Sequence, residues 1–158
     1  ILLRGVDEHV GPQLAGQLGA DVLINPTKQD PVEVVRSYTR GYGADVVLEM
    51  SGNPTAIRQG LKAARNGARI SLLGLPGRPL ELDLAADVIM RGLVLQGITG
   101  RRMWQTWYQV RSLYRAGLAE RLRPLVTHRM PLEQIDAAME LMGSGQSGKI
   151  VLVPDLKA

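Results

Sequence analysis

The sequence predicts an α/β protein built on a doubly wound parallel sheet, and three observations carry that prediction. Short apolar runs at residues 1–4, 22–24, 44–50, 69–75 and 93–98 alternate with amphipathic, helix-like stretches. Each run is too apolar to leave one face in water, which suits a parallel sheet covered on both sides. The stretches between them carry helix-start chemistry, and right-handed crossovers then make double winding the economical topology.

Taken in order, the run at residues 1–4 precedes a helix over 10–18, and 22–24 is the next strand. Asp30 is placed to cap a helix reaching about Arg40, with Pro31 at the first helical position and Glu33 in the first turn. The strand at 44–50 has Val-Val-Leu at its centre. Asn53-Pro54 repeats the cap, and Ile57, Leu61 and Ala64 mark the buried face of the next helix. A strand at 69–75 breaks at Pro76-Gly77, and a short helix at 84–91 leads to the strand at 93–98. Beyond Gly100 the pattern changes. Met103, Trp107, Val110 and Tyr114 share a helical face, widened by Trp104 and Tyr108, and read as helix core. A strand at 125–128, a helix at 131–142 closed by Gly143 and a strand at 149–153 complete a small α+β appendage. The expected organisation is therefore residues 1–100 and residues 101–158.

Composition narrows the function classes. Of the 158 residues 45% are hydrophobic and 22% charged, as in a globular chain rather than a disordered one. No apolar run is long enough to cross a bilayer and no leader opens the chain, so the expected location is cytoplasmic, without a membrane partner. There are no cysteines, which excludes disulfides and thiolate metal ligands. The formal charge is +4, and residues 101–158 carry 9 Lys/Arg against 5 Asp/Glu. This excess, at Arg101, Arg102, Arg111, Arg115, Arg121, Arg123 and Arg129, reads as a solvated helix face. No groove-reading motif accompanies it, so no nucleic-acid partner is expected.

Sheets of this kind bind ligands beyond the carboxyl ends of their strands. Those ends are Met50-Ser51-Gly52, Gly74-Leu75-Pro76-Gly77 and Gly97-Ile98-Thr99-Gly100. Glycine there serves either close approach of a ligand or ordinary turn chemistry. The spacing Gly-x-Gly-x-x-Gly occurs once, at residues 143–148, but ahead of an expected strand rather than after one, and no complete Walker-type loop occurs. His128 has no carboxylate near it in sequence and reads as structural rather than as a base, while His9 sits in an expected loop.

The run Gly97-Ile98-Thr99-Gly100-Arg101-Arg102-Met103-Trp104-Gln105-Thr106-Trp107-Tyr108 resembles a signature of zinc-dependent threonine dehydrogenases, within the medium-chain dehydrogenase/reductase superfamily. Val46-Val47-Leu48-Glu49-Met50-Ser51-Gly52, the segment at 69–76, Leu125-Val126-Thr127-His128-Arg129 and Ser144-Gly145-Gln146-Ser147-Gly148-Lys149 extend the likeness over nearly the whole chain. The resemblance implies a Rossmann-like sheet lacking its first strand, followed by a segment that returns to an absent catalytic domain. It implies NAD or NADP as cofactor and a small secondary alcohol, such as threonine or a polyol, as substrate. Met50 and Ser51 match positions lining the cofactor groove, and Leu73, Gly74 and Leu75 match positions around the nicotinamide. Backbone of Leu73, Ile98 and Gly100 is expected to hold the carboxamide, and Lys149 matches a basic residue reaching the pyrophosphate. Its other reading is a surface lysine opening a strand.

Family members that use NAD carry an acid at the end of the second strand, where this chain has Arg4-Gly5, with Asp7 two residues on. Glycine beside arginine there suits a 2′-phosphate, so both NAD and NADP stay open. By the same resemblance the first strand–turn–helix, with its glycine fingerprint, should precede Ile1, and the zinc ligands belong to a domain not in the chain, which opens on an apolar run and so reads as a piece of something longer. No residue takes a catalytic or metal-ligating role, and the 158 residues alone are expected not to transfer hydride. The edge strand Leu93 to Gly97 is expected to pair across a two-fold axis, making a homo-oligomer. A non-enzymatic dinucleotide-binding or dimerisation module is the alternative.

Overall fold

The computed structural model describes residues 2–3, for their backbone, and residues 10–154; Arg4, Gly5, Asp7 and His9 lie outside the described residues. The fold is α/β, with parallel strand pairing and helical crossovers. The chain divides into two compact units, one comprising residues 1–27 with 102–158, the other Lys28–Arg101.

At the amino end, β1 (Leu2–Leu3) pairs in parallel with β2 (Leu23–Ile24), with α1 (Val10–Gln17) between them. In the unit Lys28–Arg101, α2 (Pro31–Tyr38) starts as its sequence directs. The Asp30 carboxylate accepts the Val32 N–H at 2.8 Å, and Pro31 occupies a position where no helical N–H is needed. After β3 (Ala44–Glu49), the Asn53 side-chain oxygen accepts the N–H of Thr55 at 2.8 Å and opens α3 (Pro54–Ala63). Strand β4 (Ala64–Leu72) then lies parallel to β3, with Val46 opposite Arg69 and Glu49 opposite Leu72. A π-helical turn at Ala85–Ile89 leads into β5 (Val94–Gly97), parallel to β4, and the strand order is β3-β4-β5.

The core of this unit is Ile57 and Leu61 of α3 packed on Ala64, Ala68 and Ile70 of β4, with Leu93 closing one side. The sequence puts Ala64 on the helical face; in the structure it is wholly buried but opens β4, opposite Ala44. The strand expected at 69–75 stops at Leu72. Beyond it the N–H groups of Leu73 and Gly74 turn to the Glu49 carbonyl, at 2.9 and 3.4 Å. Arg91 supports the other end of β4, donating to the Leu61 carbonyl at 2.7 Å and to that of Ala64.

In the other unit, α4 (Gln105–Leu113) continues through a π-helical turn at Tyr114–Leu118 into α5 (Ala119–Leu122). A 3-10 turn at Arg123–Leu125 precedes β6 (Val126–Pro131), and α6 (Ile135–Ser144) carries the chain over to the parallel β7 (Lys149–Val153). Pro131, expected to begin the helix, ends β6 opposite Val153, and a 3-10 turn intervenes before α6. The helix runs past Gly143 and ends at Gly145, whose φ of 76° is the left-handed conformation that stops a helix.

The aromatic face of α4 corrects a sequence expectation. Met103, Trp104, Trp107, Tyr108, Val110 and Tyr114 are exposed rather than core. The helix begins only at Gln105, because Trp104 sits at φ 65°, outside helical geometry. Arg111 stacks its guanidinium 5.1 Å from the Tyr108 ring centre, covering part of that surface. Among the described residues His128 has no carboxylate partner; its Nδ1 lies 2.9 Å from the Thr127 hydroxyl, which also accepts the Gly148 N–H at 2.9 Å. No described helix is long and apolar enough to cross a membrane.

Candidate functional site

The carboxyl ends of β3, β4 and β5 are stitched to one another by main-chain bonds. Ile98 donates its N–H to the Leu72 carbonyl at 2.9 Å, tying the end of β5 to that of β4. Leu73 and Gly74 donate to the Glu49 carbonyl, tying β4 to β3. The Met50–Asn53 loop is held from within. The buried Glu49 carboxylate accepts the N–H of Ser51 at 2.9 Å, that of Gly52 at 3.0 Å, and the Ser51 hydroxyl.

Two of the glycines at these ends, Gly52 and Gly74, have a definite use. A Cβ on Gly74 would come 2.5 Å from the Ser51 carbonyl carbon and nearer still to the Gly52 nitrogen. A Cβ on Gly52, whose φ is 69°, would lie 2.7 Å from the Leu75 carbonyl carbon. The loops touch backbone to backbone, so glycine here serves loop–loop packing. Gly97 and Gly100 differ, with open space where a Cβ would stand.

Met50, Ser51, Leu73, Gly74, Leu75, Ile98 and Gly100 thus all lie on the three joined strand ends, within the unit Lys28–Arg101. Met50, Leu73, Leu75 and Ile98 expose apolar side chains there, Leu75 at 89%. The Ser51 hydroxyl is engaged, donating to Glu49 and accepting the Asn53 N–H at 3.1 Å. The carbonyls of Leu73 and Ile98 and the N–H of Gly100 make no hydrogen bond among the described residues. Lys149 belongs to the other unit, where it opens β7 with an exposed side chain. Arg4 and Gly5 lie outside the described residues.

Glu49 is the residue that sequence reading missed as part of this site. Its signal is an acid at a strand end followed, after Met50, by Ser51, Gly52 and Asn53, a turn whose free N–H groups need an acceptor.

Residues 6–116 match the family model described as zinc-binding dehydrogenase. The chain belongs to this zinc-binding dehydrogenase family. It is 53% identical over 142 residues to the L-threonine 3-dehydrogenase of Caldanaerobacter subterraneus subsp. tengcongensis, an alignment covering 90% of this chain and 41% of that protein. It is 47% identical to the L-threonine 3-dehydrogenase of Bacillus subtilis, again over 90% of this chain and 41% of the relative. Among solved structures, an alcohol dehydrogenase from Thermotoga maritima superposes with a TM-score of 0.83 at 26% identity, covering 97% of this chain and 42% of its own. An alcohol dehydrogenase zinc-binding domain protein from Burkholderia ambifaria gives 0.82 at 30% identity, over 98% of this chain and 41% of its own. The chain therefore spans about two-fifths, 41%, of the curated relatives it matches. In this dehydrogenase family zinc is the resident metal, yet the residues here do not fit it. Among the described residues no three His, Cys, Asp or Glu side chains gather, and the chain has no cysteine.

Proposed function

We propose that this chain is the C-terminal, cofactor-binding portion of a zinc-type dehydrogenase acting on a small secondary alcohol such as threonine or a polyol, and that its β3-β4-β5 strand ends hold the nicotinamide of NAD or NADP. The observation that carries the reading is the set of unused backbone groups at those ends. A carboxamide has two N–H donors and one oxygen acceptor. The carbonyls of Leu73 and Ile98 and the N–H of Gly100 form the complementary set, unengaged among the described residues. The exposed apolar side chains of Met50, Leu73, Leu75 and Ile98 supply the surface a flat ring needs.

When bound, the nicotinamide supplies hydride acceptance or donation. The chain's own residues do the holding. Backbone fixed by the strand-end bonds needs little ordering on binding, and the apolar rim excludes water from one face of the ring. Residues 101–158 are proposed to run back to the catalytic domain of the whole protein, Lys149 to meet the pyrophosphate, and Arg4-Gly5 to bear on the choice between NAD and NADP. Zinc, on this reading, belongs to residues outside this chain.

Titration with NADH and with NADPH, followed by nicotinamide fluorescence, tests the reading. Saturable binding of either supports it; no binding of either at millimolar concentration sinks it. Leu75→Asp is expected to leave the thermal midpoint unchanged, because the side chain is 89% exposed. It should weaken dinucleotide binding by roughly tenfold, since it sets a charge against both ring and phosphates.

A homo-oligomer through β5 is the second part of the proposal. β5 stands at the edge of the β3-β4-β5 sheet among the described residues, with Val94 exposed. Unpaired strand edges of this kind seek a partner. Light scattering should give at least twice the 17.2 kDa chain mass. Val94→Lys should move the equilibrium towards monomer, and a strict monomer in the unsubstituted protein would refute the assembly while leaving the cofactor site standing.

A further inference from the structure

We propose that Glu49 is a positioning residue: its buried carboxylate holds the Met50–Asn53 loop in the conformation that receives the dinucleotide. The inference rests on the dinucleotide reading above and adds to it a residue whose side chain faces inward, away from any ligand.

Glu49 is 6% exposed, yet among the described residues no cation pairs with it. Its side-chain partners are N–H and O–H groups of the residues two and three positions on, Ser51 and Gly52. A buried carboxylate is costly unless such donors converge on it, so a chain that retains one at a strand end gains a rigid turn in return. The connections continue outward on both sides. The Ser51 hydroxyl accepts the Asn53 N–H, and Asn53 in turn caps α3 through Thr55 and Ala56. The main-chain carbonyl of the same Glu49 accepts from Leu73 and Gly74, fixing the neighbouring strand end. One residue thus sets the positions of Met50 and Ser51 with its side chain and of Leu73 with its backbone.

An apolar residue of similar size at position 49 would bury as well but leave the Ser51 and Gly52 N–H groups without an acceptor. Glutamine fails differently. It keeps the volume, and its oxygen can take the place of Oε1, but its NH₂ then stands where Oε2 accepts the Gly52 N–H at 3.0 Å, so that two donors face each other. The loop then relaxes to find other partners. The groups that line the ligand move while the core beneath, Ile57 to Ile70, keeps its packing.

The test is dinucleotide affinity of the 158-residue chain and of Glu49→Gln, measured well below both thermal midpoints with whichever of NADH or NADPH the unsubstituted chain binds more tightly. The expected result is about tenfold weaker binding by Glu49→Gln, with faster amide exchange confined to Ser51 and Gly52. A folded Glu49→Gln that binds within twofold of the unsubstituted chain overturns the proposal and leaves the dinucleotide reading intact. Absence of binding by the unsubstituted chain overturns both. If Glu49→Gln does not fold, Ser51→Ala decides: it removes only the hydroxyl leg of the clamp and should weaken binding about threefold, and unchanged affinity counts against the clamp.

Discussion

Gly74→Ala is expected to unfold at a temperature lower by on the order of 10 °C or more, a loss of at least about 3 kcal/mol. The added carbon meets the main chain of Ser51 and Gly52, the former at 2.5 Å, and main chain cannot swing away as a side-chain tip can. To make room, the β4 end must part from the β3 end, which breaks the bonds from Leu73 and Gly74 to the Glu49 carbonyl. Dinucleotide binding should be lost with them, because Leu73 and Leu75 are carried on the displaced segment. Gly77→Ala is the control, three residues on in the same turn region. Open space surrounds the site of its Cβ, and its effect should stay within about 0.5 kcal/mol. Equal midpoints for the two variants would mean that the loops are not in the contact described.

The parts of this fold that were legible in sequence are those specified locally. Asp30-Pro31 and Asn53-Pro54 each encode a cap, a first turn and a direction, and both helices start where those residues put them. The strands at 44–49 and 94–97 follow from apolar runs bounded by turn residues. What eluded the sequence depended on partners distant along the chain. Ala64 suits a helix or a strand equally, and only its pairing with Ala44 decides. Pro131 looks like a helix start until Val153 pairs beside it. The face of Met103, Trp107, Val110 and Tyr114 has the spacing of a core, but periodicity states which residues share a face and not what covers it. At the candidate site, the glycine positions were readable and their use was not. Both a ligand cradle and a turn call for glycine, and only the approach of Gly74 to Gly52 separates those demands from a third, loop against loop. Glu49 escaped for the same reason. An acid at the end of a strand normally faces water, and its burial follows from the turn that it caps.

Leu61→Ala should destabilise the protein by about 3–4 kcal/mol, the second large effect. Leu61 is 2% exposed in the last turn of α3, against Ala64, Ala68 and Ile70, with Leu93 in the same cluster. Two of these neighbours, Ala64 and Ala68, are alanine and have no side chain to swing into the space left behind, so the cost stays well within the usual range for a buried leucine. Leu113→Ala removes the same atoms from α4, where the side chain is 54% exposed, and should cost less than about 1 kcal/mol. The contrast tests more than burial. α4 has the more apolar and aromatic surface of the two helices, so a hydrophobicity argument alone would rank Leu113 as the costlier loss. Urea unfolding of both variants, read at matched concentration, separates the views: a large loss at Leu61 with a small one at Leu113 places the organising core of Lys28–Arg101 between α3 and β4. Equal losses would mean that the α4 face is covered in solution by another surface, and chain mass measured at the same concentration would show whether a second copy supplies it.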